Sequence, residues 1–445
     1  MKDMTKGSIL KALITFSVPM LIASVFQQLY TLVDTVIVSR YLGAEVLAGV
    51  GATGVLTYLI LCIALGMANG GGLIISQCYG SRNYEKLKKT IISMTWIMLL
   101  FAIVMSLAGF VYSRKILVFL KVPENVLDYS TTYIKIILLF SFGTVLYNLG
   151  ASVLRSVGDS KTPLYVLIAA SFINIGLDLL FVLQFKMGVS GAAYATVISQ
   201  IISGFVCLWV LYRKRAFLGF QGDESFFPNL ECSKLIITTS LPATFQSCLI
   251  CLGGISVQRL INSFGSDVMA GYVAASKIDS LAIQVILSVA AALCVFTGQN
   301  MGIGEFDRIR QALRLARVIM FASAVVIAVC AYVFRFRIVG LFLDADANEL
   351  ALNTGAEYLS IVGVAYLICA IMQSFQNVIK GAGDVNTCMV AGMTELAGKI
   401  IFAYATAPIL GATGIWISTP FSWACGCIIP VVRYYSGKWK DKKLS

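Results

Sequence analysis

Asp34 is the first residue in this sequence placed where it could do chemistry, because it lies well inside a membrane-length apolar stretch, SVPMLIASVFQQLYTLVDTVIVSRYLG, from Ser17 to Gly43. An ionised Asp at the bilayer centre costs about 2.5–3.5 kcal/mol even on the lenient insertion scale, so such a residue faces a bundle interior or a wet cavity. Two more polar residues, Asn174 and Asp178, stand four apart in another apolar run, and on a helix that spacing puts them on one face, one turn apart. Asn148 ends one neighbouring run and Thr196 lies in the next. Two carboxylates, two amides and a hydroxyl form an oxygen-only donor set that can share a proton or replace water around Na⁺. Two acids brought together in low dielectric cannot both stay ionised cheaply, which would make the occupancy of a proton controllable.

The elements that must carry these residues are membrane helices. The 445 residues are 58% hydrophobic and 13% charged, with a mean hydropathy of +0.86; a soluble domain has nearer a quarter charged residues. Apolar runs of about 20 residues recur, each long enough to span a core of roughly 30 Å as helix. The absence of period-two alternation excludes a barrel. The expected spans are 15–38, 46–70, 91–112, 131–153, 163–184 and 188–211, then 236–260, 272–296, 316–334, 355–377, 388–409 and 413–432. No cleavable signal peptide is expected.

The net charge of +12 reads as topology and contact with anionic lipid rather than nucleic-acid binding, because the basic residues gather in alternate loops. Arg82/Lys86/Lys88/Lys89, Arg213/Lys214/Arg215, Arg308/Arg310/Arg314/Arg317 and Lys438/Lys440/Lys442/Lys443 would all face the cytoplasm, as would both termini of a protein of the cell membrane. The twelve cysteines sit mostly in apolar spans; Cys248/Cys251 and Cys425/Cys427 have no histidine near them, so no transition-metal site, disulfide framework or cofactor is expected. A GxGxxG match at Gly49, Gly51 and Gly54 lacks a preceding strand and is no dinucleotide fingerprint; small residues there and at Gly70–Gly72 suit close helix packing. With no His at all, no HExxH and no nucleophile beside a base, an intramembrane enzyme is not supported.

The sequence repeats itself at an offset of 222 to 225 residues. Ser17 and Pro19 return as Ser240 and Pro242, Gly43 as Gly265, and Gln77-x-x-Gly80 as Gln299-x-x-Gly302. Arg155-Ser-Val-Gly-Asp-Ser-Lys-Thr162 is answered by Lys380-Gly-Ala-Gly-Asp-Val-Asn-Thr387, and Gly188-x-x-Gly191 by Gly411-x-x-Gly414. Six helices per half make the repeats parallel, a transporter signature. The expected divisions are an N-lobe at 1–211, a linker at 212–234, a C-lobe at 235–432 and a basic tail at 433–445. The repeat also isolates the acids: Val257, Lys399, Ala403 and Thr419 stand where the first half has Asp34, Asn174, Asp178 and Thr196. A role demanded by the fold would recur in both halves, and the acid pair does not. The second half has its own charges, Glu395 and Lys399, acid first and four apart, read as an intrahelical ion pair or a contact for gating or substrate. Lys277 and Asp279 read as snorkelling residues near a span end.

In these residues the chain resembles the multidrug and toxin extrusion (MATE) transporters. The resemblance runs from Pro19 through twelve spans to the basic tail, and is carried by Pro19 and Asp34 in QQLYTLVDTVIVSRYLG, Gln77-x-x-Gly80, the Gly-Asp-x-x-Thr turns, and Asn174-x-x-x-Asp178. It implies an all-α integral membrane protein with two six-helix lobes forming a V, and efflux of small organic cations in exchange for H⁺ or Na⁺ by alternating access. A monomer is expected, and Pro19, at the start of the first span, either bends its helix or is an ordinary first-turn proline. The resemblance places Asp34, Asn148, Asn174, Asp178 and Thr196 at the family's N-lobe coupling-ion cluster. The C-lobe acids of some branches are missing: Gln246, Gln258, Gln373 and Gln376 are the polar residues in spans seven and ten. The alternative within the same superfamily is a lipid-linked oligosaccharide flippase, which a basic central cavity would suit better than an acidic one.

Overall fold

The computed structural model describes residues 3–220, 222, 225–343 and 349–444. Thirteen α-helices run through the described residues, with no strand among them. The first seven are α1 (Ile9–Leu42), α2 (Ala44–Gly80), α3 (Tyr84–Phe119), α4 (Glu124–Leu139), α5 (Phe142–Ser156), α6 (Lys161–Asp178) and α7 (Val189–Arg213). Then come α8 (Leu230–Asn262), α9 (Ser266–Ile303), α10 (Phe306–Gly340), α11 (Glu349–Gly381), α12 (Val385–Leu410) and α13 (Ala412–Tyr435). Eleven helices are individually long and apolar enough to cross a membrane, and the α4–α5 pair makes a twelfth crossing if counted as one. The 34 residues of α1 extend for roughly 51 Å at about 1.5 Å per residue, well beyond an apolar core of about 30 Å. Outward faces are apolar: Leu100, Leu107 and Phe110 of α3 and Val326 and Val333 of α10 are all exposed, as a surface solvated by lipid allows.

The expected fourth span, 131–153, is not one straight helix. Its two parts meet at a 48° bend, where Phe140 leaves helical geometry at φ −106, ψ 23. Backbone carbonyls released inside a membrane must find another donor. The Ser106 hydroxyl of α3 supplies it, donating to the carbonyls of Leu138 and Leu139 at 3.2 and 2.7 Å.

The repeat seen in the sequence is present in the backbone. Gly43 and Gly265, which precede α2 and α9, take φ 89, ψ 172 and φ 96, ψ 173, while Gly188 and Gly411 share φ 62, ψ −142. A Cβ is disfavoured at positive φ, so glycine recurs at both pairs. The two Gly-Asp turns also repeat a contact. Asp159 accepts from Lys214 Nζ at 2.7 Å, just past α7, and Asp384 accepts from Arg433 Nε at 2.6 Å, near the end of α13. Asp159 also accepts from the Thr162 amide at 3.0 Å and its hydroxyl at 2.8 Å, tying the start of α6 to the same carboxylate. Burial alone would raise this carboxyl's pKa, but Lys214 and Thr162 outweigh it and hold it below the usual Asp value.

Two compact units form, one of residues 22–244 and one of residues 3–21 with 245–445. Relative to a division at 211 and 235, the units exchange the beginnings of α1 and α8. Met4, Leu13 and Phe16 explain the first exchange, since they bury in one core with Phe296, Met320, Tyr366 and Trp416. The Met4 amide also donates to Gln299 Oε1 at 2.9 Å. Gln299 and Gln77 lie in the last turns of α9 and α2, not in loops. On the α8 side, Gly70 of α2 lies so close to Ser240 that a Cβ would fall 2.4 Å from the serine Cα. Here the small residue permits backbone contact between helices. Both division points come two residues after a proline inside a helix, Pro19 in α1 and Pro242 in α8. Of the expected linker at 212–234, Arg215–Leu218 forms a short 3₁₀ turn, while residues 221, 223 and 224 lie outside the described residues.

Candidate ion-coupling site

The polar cluster of the first unit is assembled by α1, α6 and α7. Asp178 is the last residue of α6, and the chain then widens into a π-helical turn at Leu179–Gln184, a local break of the kind that often accompanies functional residues. Asn174 and Asp178 are both fully buried. With its amide oriented so that nitrogen meets an acceptor and oxygen a donor, Asn174 donates to Asp178 Oδ2 at 3.0 Å. The same amide accepts from the Thr196 backbone N–H at 3.1 Å. The four-residue spacing therefore does what the sequence suggests: one side chain orients the other, and also reaches across to α7.

Asp34 comes from α1 and meets Asp178 carboxyl to carboxyl, within hydrogen-bond reach. A hydrogen bond between two carboxyl groups requires a proton on one of them, since ionised carboxylates are acceptors only. Asp34 Oδ1 and Asp178 Oδ1 are buried, and no N–H or hydroxyl group donates to either. Unpartnered buried acceptors are costly and rare. Here they leave sites for a cation or a proton-bearing ligand, and an all-oxygen set of this kind fits either H⁺ or Na⁺.

A cavity of about 240 Å³ opens beside the pair, lined by Asp34, Tyr30, Thr57, Tyr133, Thr196 and Gln200 among others. Tyr30 and Tyr133, which sequence reasoning missed, line the same cavity as Asp34 and Thr196. Tyr30 had a readable signal, since it lies one turn before Asp34 in α1. Tyr133, on α4, had none. Val38, Val46, Val182, Val189 and Val197 pack around this part of the unit and hold the helices against one another.

The other expected site residues fall elsewhere. Asn148 is buried on α5, but its amide donates to the Thr144 carbonyl of its own helix at 2.8 Å, and it does not line the cavity. Pro19 lies in the part of α1 that belongs to the other unit. Glu395 and Lys399 share a face of α12 with no direct ion pair between them among the described residues. Asp279 does not snorkel. It accepts from the hydroxyls of Tyr358 at 3.0 Å and Tyr366 at 2.6 Å, both on α11, which hold it within the second unit. No group of His, Cys, Asp and Glu suited to a metal occurs among the described residues.

Comparison with known proteins adds to this geometry. The MatE family profile matches residues 19–180 and again 242–405, so the two matches begin at Pro19 and Pro242 and restate the internal repeat. The chain is 30% identical to "Probable multidrug resistance protein YoeA" of Bacillus subtilis, over 99% of this chain and 96% of that protein. It is 29% identical to "Probable multidrug resistance protein YpnP" of the same organism, over 99% and 98%. In three dimensions it resembles a solved structure described as the outward-facing conformation of a multidrug resistance MATE family transporter of the MOP superfamily. The TM-score is 0.91 at 23% identity, with 98% of each chain covered.

Proposed function

The chain belongs to the MatE family, a multi-pass multidrug efflux transporter of the membrane, and on that footing we propose that it is a secondary active antiporter. It exports cationic and amphipathic organic compounds while H⁺, or Na⁺ at the same oxygens, runs inward through the Asp34–Asp178 pair. The observation that carries the reading is the contact between these two carboxyls, each with a buried oxygen that no protein donor reaches, beside a cavity.

The mechanism follows from what the pair can hold. In one state a proton sits between Asp34 and Asp178, and Asn174 and Thr196 fix the acids' geometry. Releasing that proton leaves two like charges in contact, which favours a conformation that separates them or admits a cation. Alternating access needs such a difference in proton affinity between states. A full swing of populations takes roughly a 10⁴-fold differential, within what burial and a neighbouring charge supply to a carboxylate. An acidic cavity disfavours anionic cargo and suits a cation that competes for the same charge. Both termini are taken as cytoplasmic, from the distribution of Lys and Arg.

The test uses inverted membrane vesicles and a fluorescent organic cation. Imposing an inward-acid pH gradient should drive accumulation in vesicles bearing the wild-type chain, and should fail in vesicles bearing Asp34→Asn at equal protein level. Accumulation that ignores both proton and sodium gradients would contradict antiport.

A further inference from the structure

The second unit holds a cationic cavity, at the end of the unit where α10 begins and α13 finishes, that the transport mechanism does not use. Its volume is about 280 Å³, and its lining includes Arg310, Arg314, Arg317, Tyr434, Trp439 and Lys440. The three arginines fall at i, i+4 and i+7 on the first turns of α10, one stripe of a helix. Across from them the chain past α13 folds back as a 3₁₀ turn, Lys438–Asp441. Trp439 is buried there, its indole N–H donating to the Tyr434 carbonyl at 3.0 Å. Its ring stacks on Tyr434 at 5.5 Å and meets Phe306 edge-on at 5.8 Å. This anchor delivers Lys440 to the arginine stripe.

The positive charges are only partly neutralised. Arg310 Nη1 bonds Asp307 at 2.8 Å, which leaves the rest of its guanidinium available. Arg317 lies over the Phe375 ring at 4.9 Å, a contact that orients the group without cancelling its charge. Arg314 has no carboxylate partner among the described residues, and neither Asp307 nor Asp441 lines the cavity.

The internal repeat supplies a control. Subtracting the 222-residue offset of these helices takes Arg310, Arg314 and Arg317 to Lys88, Ile92 and Thr95 of α3. A cavity of about 390 Å³ does occupy that place in the first unit, lined by Ile92, Thr95, Trp96, Leu211 and Tyr212, with Arg215 as the cation among its lining residues. The same fold tolerates an apolar groove there, so packing alone does not require three arginines.

Exposed apolar side chains begin beside the cationic cavity, Val318 next to Arg317 and Val432 next to Arg433, and Tyr435 at the cavity itself is 72% exposed. The cations thus meet the level at which the helix surface turns apolar. We propose that this cavity binds a phosphate-bearing anion, the apolar margin pointing to the headgroup of an anionic membrane lipid as its carrier. Guanidinium forks match phosphate oxygens bidentately, and the tyrosine and indole rings provide a rigid wall.

The full-length protein in nanodiscs of equal phosphatidylglycerol and phosphatidylcholine, examined by native mass spectrometry, should retain phosphatidylglycerol selectively. Arg310→Gln with Arg314→Gln should weaken that retention roughly 30-fold, at about fivefold per basic residue removed. Arg310→Lys with Arg314→Lys should keep most of it, which separates lost charge from lost folding, and Arg215→Gln in the other cavity should change nothing. A second arm titrates lipid-stripped protein in detergent with inorganic phosphate, read by tryptophan fluorescence. Phosphate binding that disappears in the Gln double variant, without any lipid preference, would keep the site and assign it a soluble ligand. Equal retention of both lipids with no phosphate response, or a Gln double variant indistinguishable from wild type, would overturn the proposal.

Discussion

At the scale of single residues, Asp34 and Asp178 are set apart because they are two like charges that meet each other inside the apolar helices. Asp34→Asn should reduce gradient-driven export at least about tenfold while insertion and yield stay normal, since an amide cannot exchange the proton that the carboxyl pair shares. Drug resistance retained by cells producing the variant would count against this. Asp178→Asn should be as damaging, whereas Glu395→Gln should cost less, because Glu395 has Lys399 one turn away while Asp178 has no basic residue within a turn. Matched-expression transport assays decide between them, and an equal or larger loss for Glu395→Gln would move coupling into the second unit. Asp34, Asn174 and Asp178 were legible in the sequence because a charge at membrane depth is expensive and a four-residue spacing fixes a shared helix face. Tyr133 was not legible, since tyrosine is an ordinary occupant of apolar helices and its role depends on where α4 packs. Asn148 looked equally suited by type, but rotamer and packing turn its amide onto its own helix. Asp279 was misread for a related reason: its two tyrosine partners lie 79 and 87 residues away in sequence.

Among the elements, hydropathy marked the crossings well, because length and composition alone decide whether a helix can span. It did not mark the α4–α5 bend, where composition stays apolar and the break is stabilised by a hydroxyl from α3. The Asp159–Lys214 and Asp384–Arg433 pairs join the turn after the fourth crossing of each half to the end of its sixth. Asp159→Asn should destabilise the first unit by about 1–3 kcal/mol, less than a fully buried pair because Lys214 is part exposed. Thermal unfolding in detergent measures this loss, and an unchanged midpoint would refute it. The pH dependence has a definite sign. A carboxyl held below its ordinary value of about 3.9 contributes stability fully present above that pH and lost as pH falls through the lower folded value. The stability gap between wild type and Asp159→Asn should therefore hold above about pH 4 and close as the pH falls below it, which unfolding midpoints measured across that range would show. Pro19 belongs to this scale too. It leaves the Thr15 carbonyl without the usual intrahelical donor, two residues before α1 passes from one unit to the other. Pro19→Ala restores that donor and should slow transport severalfold without altering yield; transport at the wild-type rate would deny the proline a conformational role.

For the whole molecule, duplication is the organising fact, and it was readable because glycines at positive φ and Gly-Asp turns cannot drift freely in sequence. What the duplication could not announce is the division of the chain into compact units. The beginnings of α1 and α8 pack with partners hundreds of residues away, as Met4 does with Gln299, and long-range packing leaves no local pattern. The halves have diverged in chemistry while keeping their backbone: an acid pair in the first, Asp279 held by tyrosines and an arginine-lined cavity in the second. The central claim is that proton exchange at Asp34 and Asp178 drives export. Its most direct test imposes a pH gradient on sodium-free proteoliposomes containing only this protein and follows a fluorescent organic cation together with internal pH. The account expects cation movement against its gradient with proton movement in the opposite direction, both abolished by Asp34→Asn and by Asp178→Asn. Cation movement that begins only when sodium is added, or that persists in both variants, would contradict it.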